Sequence, residues 1–167
     1  MYKIILLMIF SSIFSAKLLY ASDSALEQGK VILTVLGNFE KNTTGFGVKF
    51  DRKMLMSFKQ TTIATTTPWT SGINNFKGPT IEDVINSLGV KGTQLIATAL
   101  NGYKVSIPMS DIKKYPVIIA LRRNDLILSV RQKGPGWVIY PWDKYQELRT
   151  NVYYTRAIWQ LKSLEIR

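Results

Sequence analysis

The chain has 167 residues, 22 Lys and Arg against 11 Asp and Glu, and neither Cys nor His. That excludes disulfides, thiolate nucleophiles, Cys/His zinc sites, iron–sulfur clusters and any mechanism that needs an imidazole base. The chemistry left to it belongs to carboxylates, hydroxyls, amides, aromatic rings and cations, and a hydrophobic fraction of 46% fits a single globular domain.

The first three residues, Met1, Tyr2 and Lys3, make a short basic start before the apolar run IILLMIFSSIF at 4–14. Lys17 closes that run, which falls short of the roughly 20 apolar residues of a spanning helix. Residues 1–21 therefore read as a signal peptide cleaved after Ala21, with Ala16 as a second candidate; an uncleaved anchor is the alternative. Residues 22–167 then form one exported, periplasmic domain with no membrane insertion after cleavage. Its charge is uneven, with 12 basic and 5 acidic residues in 101–167. An exported basic surface is expected to meet an acidic ligand, an acidic partner or anionic lipid rather than nucleic acid.

Residues 31–36 (VILTVL) are β-branched and apolar and predict a strand, and 41–45 (KNTTG) predict a turn. Residues 51–58 predict a short helix with Met54, Leu55 and Phe58 inward. A Thr-rich strand follows at 60–65. Residues 66–79, dominated by Pro, Gly, Ser and Asn, predict a long loop, and long ordered loops are often functional. Thr80 and Asp83 resemble a capping box. Ile81, Val84, Ile85 and Leu88 then give one apolar helix face, ended by Gly89. Strands are expected at 95–100 and 103–107 about an Asn101-Gly102 turn. A helical turn is expected at 110–113 and a buried strand at 116–122. A turn at Asn124-Asp125 leads into 126–131, and a break at Gly134-Pro135-Gly136 precedes a strand at 137–140. A helical turn at 143–148 and a closing strand at 157–166 complete the chain. Many short strands with one good helix predict an α+β or mostly-β domain.

One constellation carries chemistry. Trp69, Trp137, Tyr140, Trp142, Tyr153, Tyr154 and Trp159 are interleaved with Arg122, Arg123, Arg131, Arg149 and Arg156. Planar heterocycles stack on such rings while Arg and Asn bond their edges. Most of these rings are expected in the core. Trp69, between Pro68 and Thr70 in a polar segment, is the exception. Glu82 and Asp83 are adjacent on a helix and point apart, so they read as a helix N-terminal charge effect rather than an acid–base pair. The GFG at 45–47 and the GPG at 134–136 are not phosphate loops.

The order of TTTPWTSGINNFKGP, TIEDVINSLG, LNGYKVSIPMSDI, IIALRRND, LSVRQKGPGWVIYP and RAIWQLKSLEI resembles the pterin-binding domain of sulfite-oxidase-type molybdenum enzymes, over roughly 31–166. Its short exported members are the nearest in kind. The resemblance implies an α+β fold built on mixed β-sheet. It also implies departures: where the enzymes place a metal-binding Cys shortly before the tryptophan, this chain has Thr65 or Thr66. A neutral hydroxyl is a poor substitute for a soft thiolate. The enzymes' phosphate-holding Arg after the glycine–proline turn is missing, with Arg131 and Lys133 before the turn as partial compensation. The implied ligand is a reduced pterin, with molybdopterin as the alternative and no metal expected. Trp69 would stack on its ring, and Arg123, Arg131 and Arg156 would bond its polar edge or an anionic substituent. Asn101 and Tyr103 would line the mouth. The implied role is a non-catalytic sensor acting on the periplasmic domain of an inner-membrane signalling protein, a cyclic-di-GMP enzyme or sensor kinase. The alternatives are a molybdopterin-dependent oxidoreductase with an unusual metal ligand and a scaffold with an empty pocket.

Overall fold

The computed structural model describes residues 29–37 and 47–167. The expected signal peptide and the turn at 41–45 lie outside the described residues. Three sheets organise the rest. A five-stranded sheet runs in the order β2 (Val48–Asp51), β1 (Val31–Leu36), β11 (Leu161–Ile166), β5 (Gln94–Ala99), β6 (Lys104–Pro108). The β1–β11 pair is parallel and the others antiparallel, so the sheet is mixed. A four-stranded antiparallel sheet runs β3 (Thr61–Thr67), β4 (Thr70–Gly78), β8 (Arg122–Arg123), β9 (Leu126–Ile127). A short pair, β7 (Ile118–Ala120) with β10 (Trp137–Ile139), lies fully buried. With four short helices the architecture is α+β, as expected.

Local chemistry explains most element ends. In helix α1 (Arg52–Ser57) the Asp51 carboxylate accepts from the Met54 amide at 2.8 Å. In helix α2 (Ile81–Asn86) the Thr80 hydroxyl accepts from the Asp83 amide at 3.0 Å, and Ile81, Val84 and Ile85 are buried. Each cap satisfies a donor that the first helical turn leaves unpaired. Gly78 lets β4 pass close to β7, because a Cβ there would meet the Ile119 carbonyl oxygen at 1.9 Å. Helix α3 (Met109–Lys114) buries Met109, Asp111 and Ile112. No helix among the described residues is long and apolar enough to cross a membrane.

Several expectations need correction. Residues 66–79 are not a loop. They complete β3 and form β4, joined by a tight turn at Pro68-Trp69 with Thr67 paired to Thr70. The polar residues that mimic a loop mostly cover the outer sheet face, while Ile63, Thr65, Asn74 and Phe76 alternate inward. Asn74 is tolerated there because its amide donates to Thr70 Oγ1, Ser71 O and Gly72 O. Met54 points outward at 43% exposure. The strand expected at 116–122 splits between two sheets. The one at 126–131 stops at Ile127 and gives way to a 3-10 turn at Val130–Gln132. The closing strand begins only at Leu161, after Gln160 turns the chain with φ of 51°. Helix α4 (Asn151–Arg156) was not expected, since it buries no residue and so shows no apolar stripe.

Candidate functional site

Trp69 sits at the β3–β4 turn, and its ring is the centre of an aromatic cluster. Ring centroids lie 5.4 Å away at Trp159, 5.9 Å at Trp137, 6.1 Å at Tyr154 and 6.3 Å at Trp142. Three of these pairs meet edge to face, a favoured arrangement of π-systems. Trp69 is therefore both partly buried against the core and available at a surface, not simply a loop residue. Trp137 is fully buried, and its indole donates to the Ala157 carbonyl at 3.1 Å. The buried indole N–H of Trp142 has no hydrogen-bond partner in the structure.

One side of this cluster opens as a cavity of about 400 Å³. Trp69, Tyr154 and Trp159 supply aromatic wall, and Ala99, Ala157 and Ile158 supply aliphatic wall. Asn101, Tyr103, Asn151 and Thr155 bring polar groups to it. The Asn101-Gly102 turn holds its own shape: Asn101 Oδ1 accepts from the Tyr103 amide at 3.0 Å, and Gly102 takes φ of 87°. Three of the six sequence-derived candidates, Trp69, Asn101 and Tyr103, thus line one space.

The three arginines stand elsewhere. Arg156 is not part of the cavity lining and pairs with buried Asp111 at 2.8 Å. The same Asp111 oxygen accepts from the Tyr140 hydroxyl at 3.0 Å. Burial and the neighbouring Asp111 carboxylate push the Tyr140 hydroxyl's pKa well above its ordinary range. Arg131 is exposed on the 3-10 turn. Arg123 lies on β8 beside Phe76. Asn151, Tyr154, Thr155 and Trp159 complete the cavity in their place. Tyr154 and Trp159 stood in the aromatic constellation, whereas nothing local marks Asn151 and Thr155.

The segment expected to replace the metal-binding cysteine is tied by hydrogen bonds, with Thr65 buried and Thr66 exposed. Thr65 is 0% exposed, and its hydroxyl accepts from the Asp143 amide at 3.2 Å and donates to Thr66 O at 3.2 Å. The Asp143 carboxylate accepts from the Thr66 amide and hydroxyl, both at 2.7 Å, and from Arg149 at 2.6 Å. Burial alone would raise the Asp143 pKa, but these donors outweigh it and hold the pKa below the usual carboxylate value. A hydroxyl already engaged twice and sealed from solvent does not suit a soft, open metal. Among the described residues no three or more His, Cys, Asp or Glu side chains gather. At the position that the resemblance gives to the metal-binding cysteine, the Thr65 and Thr66 hydroxyls both donate within the protein.

Fold and cavity define a small α+β domain with an aromatic pocket. No protein-family model matches the sequence, and no curated protein gives a significant match. Among solved structures, the sulfane dehydrogenase SoxCD from Paracoccus pantotrophus is similar, with a TM-score of 0.59 and 19% identity. The match covers 80% of this chain and 37% of that one. The likeness is one of fold.

Proposed function

We propose that this chain binds a reduced pterin without catalysing its turnover, and that it acts as an exported sensor. The carrying observation is the cavity in which Trp69, Tyr154 and Trp159 meet the amides of Asn101 and Asn151. Its volume lies at the small end of the ~300–1,000 Å³ typical of ligand pockets, which suits a fused bicyclic ring. Aromatic faces would hold the ring plane, and the amides, each both donor and acceptor, would match the alternating edge of a pterin. The sealed Thr65 hydroxyl argues against a metal-dependent oxidoreductase.

The basic balance of 101–167 supports an acidic partner, and the resemblance supports the periplasmic domain of an inner-membrane signalling protein as that partner. The test is direct. Protein purified from its native compartment is denatured, and released small molecules are identified by mass spectrometry. A pterin without a dithiolene group is expected. Molybdopterin in stoichiometric amount would overturn the reading. So would recovery of nothing, together with no saturable binding of added tetrahydropterin.

A further inference from the structure

Helix α4 carries three cavity residues, Asn151, Tyr154 and Thr155. Thr155 differs from the other two in what its hydroxyl has left to offer. That hydroxyl donates to the Asn151 carbonyl, one turn earlier in the helix, at 2.8 Å. A carbonyl oxygen only accepts, so the single hydroxyl proton is committed to that bond. The lone pairs remain, and Thr155 is an exposed residue of the cavity lining. It therefore meets a ligand as an acceptor alone.

The other polar groups of the cavity lack this constraint. The hydroxyls of Tyr103 and Tyr154 can turn to donate or to accept, and the Asn151 amide can present either end. Asn101 has the opposite bias. A backbone amide only donates, so the Asn101 atom that meets the Tyr103 amide at 3.0 Å is its oxygen, and the side-chain nitrogen keeps two donors. The Thr155 acceptor is also held in place. Its bond to Asn151 fixes the side-chain rotamer, and the next residue, Arg156, ties the helix to Asp111 at 2.8 Å.

We infer that Thr155 selects the oxidation state of the ligand, by accepting from a ring N–H that only the reduced heterocycle carries. This rests on the pterin reading of the cavity and adds the atom that separates one pterin from another. Tetrahydropterin carries hydrogen on both N5 and N8 of its second ring, 7,8-dihydropterin on N8 alone, and the fully oxidised pterin on neither. Opposite Thr155 the oxidised ring sets one lone pair against another and leaves both unpaired. Solvent access at Thr155 keeps that penalty moderate.

The test is isothermal titration calorimetry without oxygen, with tetrahydrobiopterin, 7,8-dihydrobiopterin and biopterin as probes. The wild-type protein should bind tetrahydrobiopterin at least about tenfold more tightly than biopterin. Thr155→Val puts a methyl of similar shape in place of the hydroxyl. It should weaken tetrahydrobiopterin by about tenfold and leave biopterin within about twofold, which brings the two affinities together. Thr155→Ala, a better helix former, should show the same convergence. Thr155→Ser keeps both the proton and the lone pairs and should retain the wild-type ratio. Dihydrobiopterin that binds like tetrahydrobiopterin would place the contact at N8, and dihydrobiopterin that binds like biopterin would place it at N5. Equal wild-type affinities for tetrahydrobiopterin and biopterin, or a ratio undiminished in Thr155→Val, would overturn the role of Thr155 and leave the pterin reading standing. No saturable binding of any of the three would overturn both.

Discussion

The Asp143 amide donates to the Thr65 hydroxyl while the Asp143 carboxylate takes the amide and hydroxyl of Thr66. Two residues 78 apart in sequence thereby clasp the β3 strand to the segment that follows β10. The clasp sits just before the turn that presents Trp69, so it positions the central ring of the cavity.

Asp143→Asn tests the clasp. Charge-assisted hydrogen bonds are each worth about 1.5–3 kcal/mol, and solvent access at Asp143 puts the expected loss near 1–2 kcal/mol at neutral pH. The folded-state pKa of Asp143 is lowered. Its contribution is therefore fully present above the unfolded-state value and is lost as pH falls through the folded-state value. Urea denaturation from pH 7 downward should show wild type and Asp143→Asn converging below the ordinary carboxylate range. A constant gap across that range would show that the carboxylate's charge is not what holds Thr66.

Arg156→Met addresses a different tie. Arg156 is the ionic link from helix α4 to the body, and its partner Asp111 is buried beside Tyr140. Removing the guanidinium leaves a buried carboxylate with only a phenol, which costs about 3 kcal/mol. Helix α4 contributes Asn151, Tyr154 and Thr155 to the cavity, so ligand affinity should fall with it. The paired change Asp111→Asn with Arg156→Gln should recover part of the stability. Chemical denaturation reads both, and no recovery would mean that the pair is not acting as a unit.

The fold was legible where its cause is local. Thr80 caps α2 through its own hydroxyl, Asn101-Gly102 makes its own turn, and the β-branched run 31–36 forms β1. It was hidden where distant partners decide. Residues 66–79 read as loop because an exposed sheet face takes polar side chains, and only pairing with β3 and β8 makes them a strand. Helix α4 carries no apolar stripe, because its inner face is two tyrosines resting on other rings. The candidate site divides the same way. Trp69, Asn101 and Tyr103 announce themselves by standing at turns. The fates of Arg123, Arg131 and Arg156 depend on whether a carboxylate, a ring or solvent lies opposite, and sequence spacing does not carry that.

Gly78→Ala tests the contact between the four-stranded sheet and the buried β7–β10 pair. The added methyl would lie 1.9 Å from the Ile119 carbonyl oxygen and 2.7 Å from its carbon, both backbone atoms. One strand must move, at a cost of about 3 kcal/mol. A thermal scan should show a drop of more than about 5 °C, scaled from the usual relation for a domain of this size. An unchanged midpoint would mean that the two strands separate freely.

Tyr103→Ala separates binding from folding. The Tyr103 ring is 50% exposed and lines the cavity mouth. The turn beneath it does not need the ring. Its bonds run from the Tyr103 amide to Asn101 Oδ1, from the Ala99 amide to Tyr103 O, and from the Gly102 amide to Ala99 O. All three use backbone atoms of residue 103 or none, so alanine preserves them. Stability should therefore change by no more than about 0.5 kcal/mol. A ring that closes over a stacked heterocycle contributes contact that alanine cannot, and tetrahydropterin affinity measured by tryptophan fluorescence should fall by about tenfold. Trp69→Ala cannot make the same separation, because Trp69 packs against four other rings and its loss weakens the fold itself. A Tyr103→Ala protein that is equally stable and binds equally well would move the ligand away from this mouth. One that is markedly less stable would make Tyr103 a packing residue instead.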